Sequence, residues 1–238
     1  MSLDELQRLE SQHVIGTYAR LPVEFVRGEG SWLWDEEGNE YLDLLCGISV
    51  TNLGHCHPRV VEAVRQQAGT LIHVSNLFYT EPAMRLAARL TESSLGGKVF
   101  FCNSGAEAIE AAVKLSRRAK AGGGVVTLAG GFHGRTYAAL SLTTSNVNYR
   151  TGHGPLLPDV HIAPFPNVYR DFAGDEERAV RVCLAHLERL FATELPPSQV
   201  AAFIIEPVQG EGGFVPAPPA FLQGLRALAD RHGILLVV

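Results

Sequence analysis

Apolar and polar positions follow two different rhythms along the chain, and the change falls near Lys98. Before it, residues 2–13 repeat apolar positions at helical spacing, while 23–26 and Trp32-Leu33-Trp34 read as strands joined at the Gly28-Glu29-Gly30 turn. Asp35-Glu36-Glu37-Gly38-Asn39 is the next turn. It is followed by an apolar run at 41–45, a loop through 54–58, and amphipathic helices at 59–68 and 81–92. Beyond Lys98, short apolar runs alternate with helical stretches, the pattern of a mostly parallel sheet with crossover helices. Strands are predicted at 99–102, 125–128, 160–163, 201–205 and 234–238, with helices at 106–120, 176–193 and 219–232. The chain reads as α/β, with a small front domain over 1–95 and a sheet domain over 96–238. The glycines at 122–124 read as a flexible surface loop without a role.

Composition narrows the function. The 238 residues are 46% hydrophobic and 19% charged, enough for a sizeable core. A net charge of −5, with the signs interspersed, provides no footprint for nucleic acid or an anionic membrane and favours a small-molecule partner. Met1-Ser2-Leu3-Asp4-Glu5-Leu6 lacks the layout of a signal peptide, and no apolar run approaches the ~20 residues of a membrane span, so cytoplasmic residence is expected. Cys46, Cys56, Cys102 and Cys183 lie far apart and read as reduced thiols. His55-Cys56-His57 sets metal-ligand types side by side, but neighbours on an extended segment point to opposite faces, and no metal is expected there.

In an open α/β sheet, ligands gather at the carboxyl ends of strands, which directs attention to three loops. Asn103-Ser104-Gly105-Ala106-Glu107 leads into a helix, where unpaired amides and a partial positive charge suit a phosphate. Ser104 serves equally as a plain helix cap. Gly130-Gly131-Phe132-His133-Gly134-Arg135 offers a flat ring in Phe132 and a two-point carboxylate grip in Arg135; the plainer alternative is a turn with a core histidine and a surface arginine. Glu206-Pro207-Val208-Gln209-Gly210-Glu211-Gly212-Gly213 brings two carboxylates and an amide to a strand end, more polar equipment than a solvated turn requires.

The three loops in this order resemble the class III aminotransferases, pyridoxal-phosphate enzymes of fold type I. The likeness extends through Thr17-Tyr18-Ala19-Arg20, Arg27-Gly28-Glu29-Gly30 and Gly54-His55-Cys56-His57-Pro58. It covers the front part of the family's pattern. Residues 17–114 look most like acetylornithine aminotransferases, with Ser75-Asn76-Leu77-Phe78-Tyr79 among the matching runs, and 130–233 look closer to 4-aminobutyrate aminotransferases. The resemblance implies pyridoxal 5'-phosphate as cofactor. It implies an omega-amino donor, N-acetylornithine first and 4-aminobutyrate second, with 2-oxoglutarate as acceptor and a homodimer when complete.

By the same resemblance, Gly105 and Ala106 give amides to the cofactor phosphate beside Ser104. Phe132, next to His133, stacks on the pyridine ring, and Glu206 and Gln209 line the pocket. Arg135 takes the substrate carboxylate remote from the reacting amine, and Glu211 acts as a gate over a downstream arginine. Ile48 is a pocket wall, and Tyr18 helps bind substrate. An aminomutase or racemase on the same fold is the rival reading, against which Arg135 and Glu211 together argue; a non-catalytic truncated product is another. The imine-forming lysine, and an Asp that pairs with the ring nitrogen, are expected beyond Val238, so that residues 1–238 alone are expected to be inactive.

Overall fold

The computed structural model describes residues 1–238 as two units, Met1–Lys98 and Val99–Val238. The first opens with α1 (Leu3–His13), whose start is a capping box: Ser2 Oγ accepts the amide of Glu5 and the Glu5 carboxylate accepts that of Ser2. Strands β1 (Phe25–Glu29), β2 (Trp32–Asp35) and β3 (Glu40–Leu42) pair antiparallel in that order. Asp35 fixes the β2–β3 turn, accepting the amide and side chain of Asn39 and the hydroxyl of Tyr41; these bonds, that of the Asn39 side chain foremost, hold its carboxyl below the usual range.

The next element, α2 (Cys46–Ser49), is a single turn with left-handed backbone at Gly47 and Ile48 (φ 60° and 58°). Asp43 braces it: Oδ1 accepts the amides of Leu45 and Cys46, and Oδ2 lies 2.7 Å from His55 Nε2. The His55 bond is the leading reason that the Asp43 carboxyl is depressed. The helices α3 (Pro58–Thr70) and α4 (Glu81–Glu92) complete the unit. Residues 55–57 are not extended as expected, since Cys56 is left-handed (φ 52°) and the His55 ring is committed to Asp43.

In the second unit, α5 (Gly105–Ala119) precedes β4 (Gly124–Leu128), and α6 (Tyr137–Leu142) precedes β5 (Val160–Ala163). Next come α7 (Val168–Phe172), α8 (Glu176–Thr193) and β6 (Val200–Ile204). A short hairpin, β7 (Val208–Gln209) with β8 (Val215–Pro216), leads to α9 (Pro219–His232) and β9 (Leu235–Val237). The sheet order is β5-β4-β6-β9, all parallel. Central β4 and β6 are buried at every residue, as a sheet covered on both faces requires.

Alternate residues of those strands feed two cores. Val125, Ala202 and Ile204 pack with Val113 of α5 and Leu142 of α6. Val126, Leu128 and Phe203 pack with Cys183 and Leu187 of α8 and Phe221 and Leu225 of α9. No helix is long and apolar enough to cross a membrane.

Two further expectations need correction. Residues 99–102 form no strand: no neighbour supplies a hydrogen-bonded ladder, and Phe100 and Phe101 are exposed, so apolar character alone did not make a strand there. Two of the glycines at 122–124, Gly123 and Gly124, do have a role. Gly124 is a buried residue of β4, and a Cβ at Gly123 (φ 110°) would stand 2.7 Å from Gln199 O, so only glycine lets the two backbones approach this closely.

Candidate functional site

Parallel pairing puts the ends of β4 and β6, and hence the loops that follow them, on one edge of the sheet. The loop after β4 is held by its own backbone and by threonines. The amides of Thr144 and Ser145 donate to Gly131 O, Thr144 Oγ1 accepts the amide of Gly130, and Thr143 Oγ1 accepts that of His133.

The loop after β6 is then tied to it by two polar side chains. Glu206 accepts the amide of Phe132 at Oε2 (2.8 Å) and that of Gly210 at Oε1 (3.1 Å). Buried Gln209 donates Nε2 to Ala129 O at 2.8 Å. Gly130 and Gly212 both close on Gln209, where a Cβ would approach Oε1 to 3.0 Å and 2.7 Å. Glu206 and Gln209, predicted to line a pocket, thus also clamp the two loops together.

The N-terminus of α5 joins this cluster. Ser104 caps the helix, its Oγ accepting the amide of Glu107 and its carbonyl that of Ala108, while the amides of Gly105 and Ala106 fall outside the helical ladder. A Cβ on Gly134 (φ 118°) would lie 2.8 Å from Ala106 Cβ, so the glycine loop abuts the helix end. Nothing occupies the space within 4 Å of a Cβ at Gly105. Glu110 adds a further tie, accepting the amides of Ala138 and Ala139 at the start of α6. Two free amides on a 15-residue helix, an open approach at Gly105 and a half-buried ring at Phe132 suit a phosphate joined to an aromatic ring.

His133 is packed inside. It is buried, Nε2 is 3.1 Å from Thr127 Oγ1, and burial lowers its pKa, with partial opposition from the Glu206 carboxylate. Arg135 is exposed, with its guanidinium carbon 4.9 Å from the Tyr149 ring centre and 5.8 Å from that of Phe132. The two rings meet edge-on at 5.6 Å. Glu211 accepts hydrogen bonds from Ser145 Oγ (2.9 Å) and Tyr149 OH (2.8 Å). Arg135 and Glu211 therefore share one neighbour, Tyr149, a residue that the sequence alone did not single out. Its only signal there was an aromatic side chain in the polar run Ser145-Asn146-Val147-Asn148-Tyr149-Arg150. The other predicted residues, Tyr18 and Ile48, are exposed in the first unit; Tyr18 lines a cleft of 510 Å³ against α1, and Ile48 sits in the left-handed turn.

Comparison with known proteins gives this arrangement its context. Residues 16–238 match the family described as "Aminotransferase class-III". An acetylornithine aminotransferase of Methanopyrus kandleri is 44% identical over 239 residues, covering 99% of this chain and 55% of that protein. That of Myxococcus xanthus is 42% identical over 243 residues, again 55% of its length. The chain spans about half the length of the curated relatives it matches. Among solved structures, a taurine:2-oxoglutarate aminotransferase from Bifidobacterium kashiwanohense, in complex with PLP and glutamate, superposes with TM-score 0.91 at 27% identity over 99% of this chain and 55% of that one. An (S)-enantioselective omega-transaminase from Thermomicrobium roseum gives 0.89 at 32% identity, covering 99% and 56%. The α/β fold is that of the fold type I transaminases.

Proposed function

We propose, from the premise that this chain belongs to the class III aminotransferases, that it serves pyridoxal-phosphate-dependent transfer of an amino group from an omega-amino donor, N-acetylornithine first, to 2-oxoglutarate. The observation that carries this reading is the meeting of the α5 N-terminus with the Phe132–Arg135 loop, through the contact of Gly134 with Ala106. One element suits a phosphate and the other a carboxylate, side by side. The relatives named acetylornithine aminotransferase support the choice of donor.

In this reading the amides of Gly105 and Ala106, with Ser104 beside them, take the cofactor phosphate. Phe132 lies against the cofactor ring, and Arg135 grips the substrate carboxylate remote from the amine. Glu211 gates the two substrates; by the resemblance, Tyr18 and Ile48 are proposed as substrate-binding residues. Pyridoxal phosphate supplies an aldehyde for the amine and an electron-withdrawing ring.

The lysine for that aldehyde is proposed to come from outside residues 1–238. Lys114 is exposed on α5, ~12 Å along the axis from Ala106 at 1.5 Å per residue. Lys120 lies at the far end of that helix, its Nζ 3.5 Å from where a Cβ on Gly233 would stand. By the resemblance, which sets that lysine beyond Val238, residues 1–238 alone are expected not to transaminate, and the whole protein is proposed to act as a homodimer.

The test is Arg135→Lys in the whole protein. Lysine keeps the charge and loses the planar two-point grip, so KM for both donor and 2-oxoglutarate should rise, by about tenfold for one lost charge-assisted hydrogen bond. Unchanged specificity constants would refute the assignment.

A further inference from the structure

We propose that Tyr149 is a positioning residue that joins carboxylate recognition by Arg135 to the placement of Glu211. Its ring seats the guanidinium, and its hydroxyl, with that of Ser145, seats the Glu211 carboxylate. The inference rests on the roles proposed above for Arg135 and Glu211, but the linkage itself comes from geometry. The guanidinium lies within the ~6 Å range of a cation–π contact, at 4.9 Å from the Tyr149 ring centre. The opposite end of the same side chain donates to Glu211 Oε1 at 2.8 Å. A phenol that donates to a carboxylate becomes more electron-rich, which strengthens its face toward a cation, so the two contacts reinforce each other.

Tyr149 is held in place by more than these contacts. It ends a 3-10 turn (Val147–Tyr149) capped by Asn146, whose side chain accepts the amide of Asn148. The next residue, Arg150, donates Nη1 to Ser141 O (3.1 Å) and Thr143 O (3.0 Å). On the other side, the amides of Thr144 and Ser145 are fastened to Gly131 O, in the loop that carries Phe132 and Arg135.

The consequence has a sign. Ser145 and Tyr149 offer Glu211 two hydroxyl donors, and in the gate reading they are where its carboxylate rests when a dicarboxylate occupies the site. Tyr149→Phe keeps the ring and removes one donor. In the whole, cofactor-loaded protein it should weaken glutarate, a dicarboxylate that cannot react, by about fivefold, the size expected for one hydrogen bond to a partly exposed charged group. The KM of the omega-amino donor should rise less than the glutarate dissociation constant, because the ring that seats Arg135 stays in place. Tyr149→Leu, which also removes the seat of Arg135, should weaken both.

Glutarate dissociation constants measured by titration calorimetry for Tyr149→Phe, Glu211→Ala and the double variant provide the decisive readout. If Tyr149 acts through Glu211, Tyr149→Phe adds nothing in the Glu211→Ala background. Additive losses, or native glutarate affinity in Tyr149→Phe, would overturn the proposal, and Ser145→Ala supplies an independent removal of the second donor with the same expected direction. Arg135→Lys separates the layers: if it leaves glutarate binding unchanged, the carboxylate-anchor reading and this linkage fall together. If it weakens binding while Tyr149→Phe does not, only the linkage falls.

Discussion

Replacing Gly134 by alanine probes the joint on which the site depends. The residue has φ 118°, a backbone conformation that L side chains rarely adopt, and its new Cβ would stand 2.8 Å from Ala106 Cβ, 3.0 Å from Ala106 Cα and 3.2 Å from Ala139 Cβ. None of those atoms is the end of a flexible side chain, so the loop must move off the start of α5. Backbone strain and overpacking together amount to about 3 kcal/mol, equivalent to roughly a 100-fold change in an equilibrium constant.

Gly105→Ala is the matched control: its Cβ meets nothing within 4 Å, its φ is not positive, and alanine suits a helix start. In the whole protein, urea unfolding and fluorescence titration with pyridoxal phosphate should separate the two. Gly134→Ala should lower the unfolding midpoint and loosen the cofactor together. Gly105→Ala should keep the midpoint and lose cofactor affinity, because its methyl enters the space proposed for the phosphate. Native midpoint and native cofactor affinity in Gly134→Ala would refute the idea that this contact shapes the site.

Glu206→Gln removes the charge from a carboxylate that serves two amides and presents an NH2 to one of them; exchange of the Phe132 and Gly210 amides, followed by hydrogen–deuterium exchange, should speed up about 30-fold for a loss of ~2 kcal/mol. Glu211→Ala should impair the omega-amine half-reaction more than the glutamate half-reaction in stopped-flow single turnovers, and equal losses would count against a gate. Burial lowers the pKa of His133 from 6.5, so the unfolded chain binds the proton more readily than the folded one; the stability that this neutral histidine provides is fully present above pH 6.5 and is lost as pH falls toward the lowered value. Urea midpoints should accordingly fall less steeply from pH 7 to 5 in His133→Gln than in the native protein. Burial first, and the Asp171 charge second, raise the Cys183 thiol to about 11, so a thiol reagent near pH 8 should leave Cys183 unmodified in the native protein while the exposed Cys56 and Cys102 react.

The sheet was legible because its physics is local to each element. Central strands such as Gly124–Leu128 and Val200–Ile204, buried on both faces, read as continuous apolar runs, and α8 and α9 carry helical spacing with clear ends. Residues 99–102 show the limit of that logic. They are as apolar as the true strands, but a strand also needs a partner ladder, and no local pattern encodes one. Gly123 failed in the opposite direction, since its neighbour is the distant Gln199 carbonyl and a glycine without visible neighbours reads as a loop. In the site, the loops could be found from their glycines and polar groups, but their internal wiring could not. Tyr149 meets Glu211 across 62 residues, and Glu206 meets Phe132 across 74.

That wiring sorts the polar residues into two groups with separable consequences. Glu206, Gln209, Thr143 and Thr144 spend their hydrogen bonds on backbone groups of the loops. Losing one leaves amides or carbonyls unpaired, so stability and cofactor affinity should fall in step. Arg135, Tyr149, Ser145 and Glu211 instead meet one another through side chains that are exposed or half-buried, and exchanging Tyr149, Ser145 or Glu211 removes side-chain bonds rather than the scaffold's backbone bonds. In the proposed function, substrate choice can therefore drift in the second group without unfolding the first. In that reading, one fold and one proposed cofactor cradle can serve amino donors as different as those named for the proteins this chain resembles.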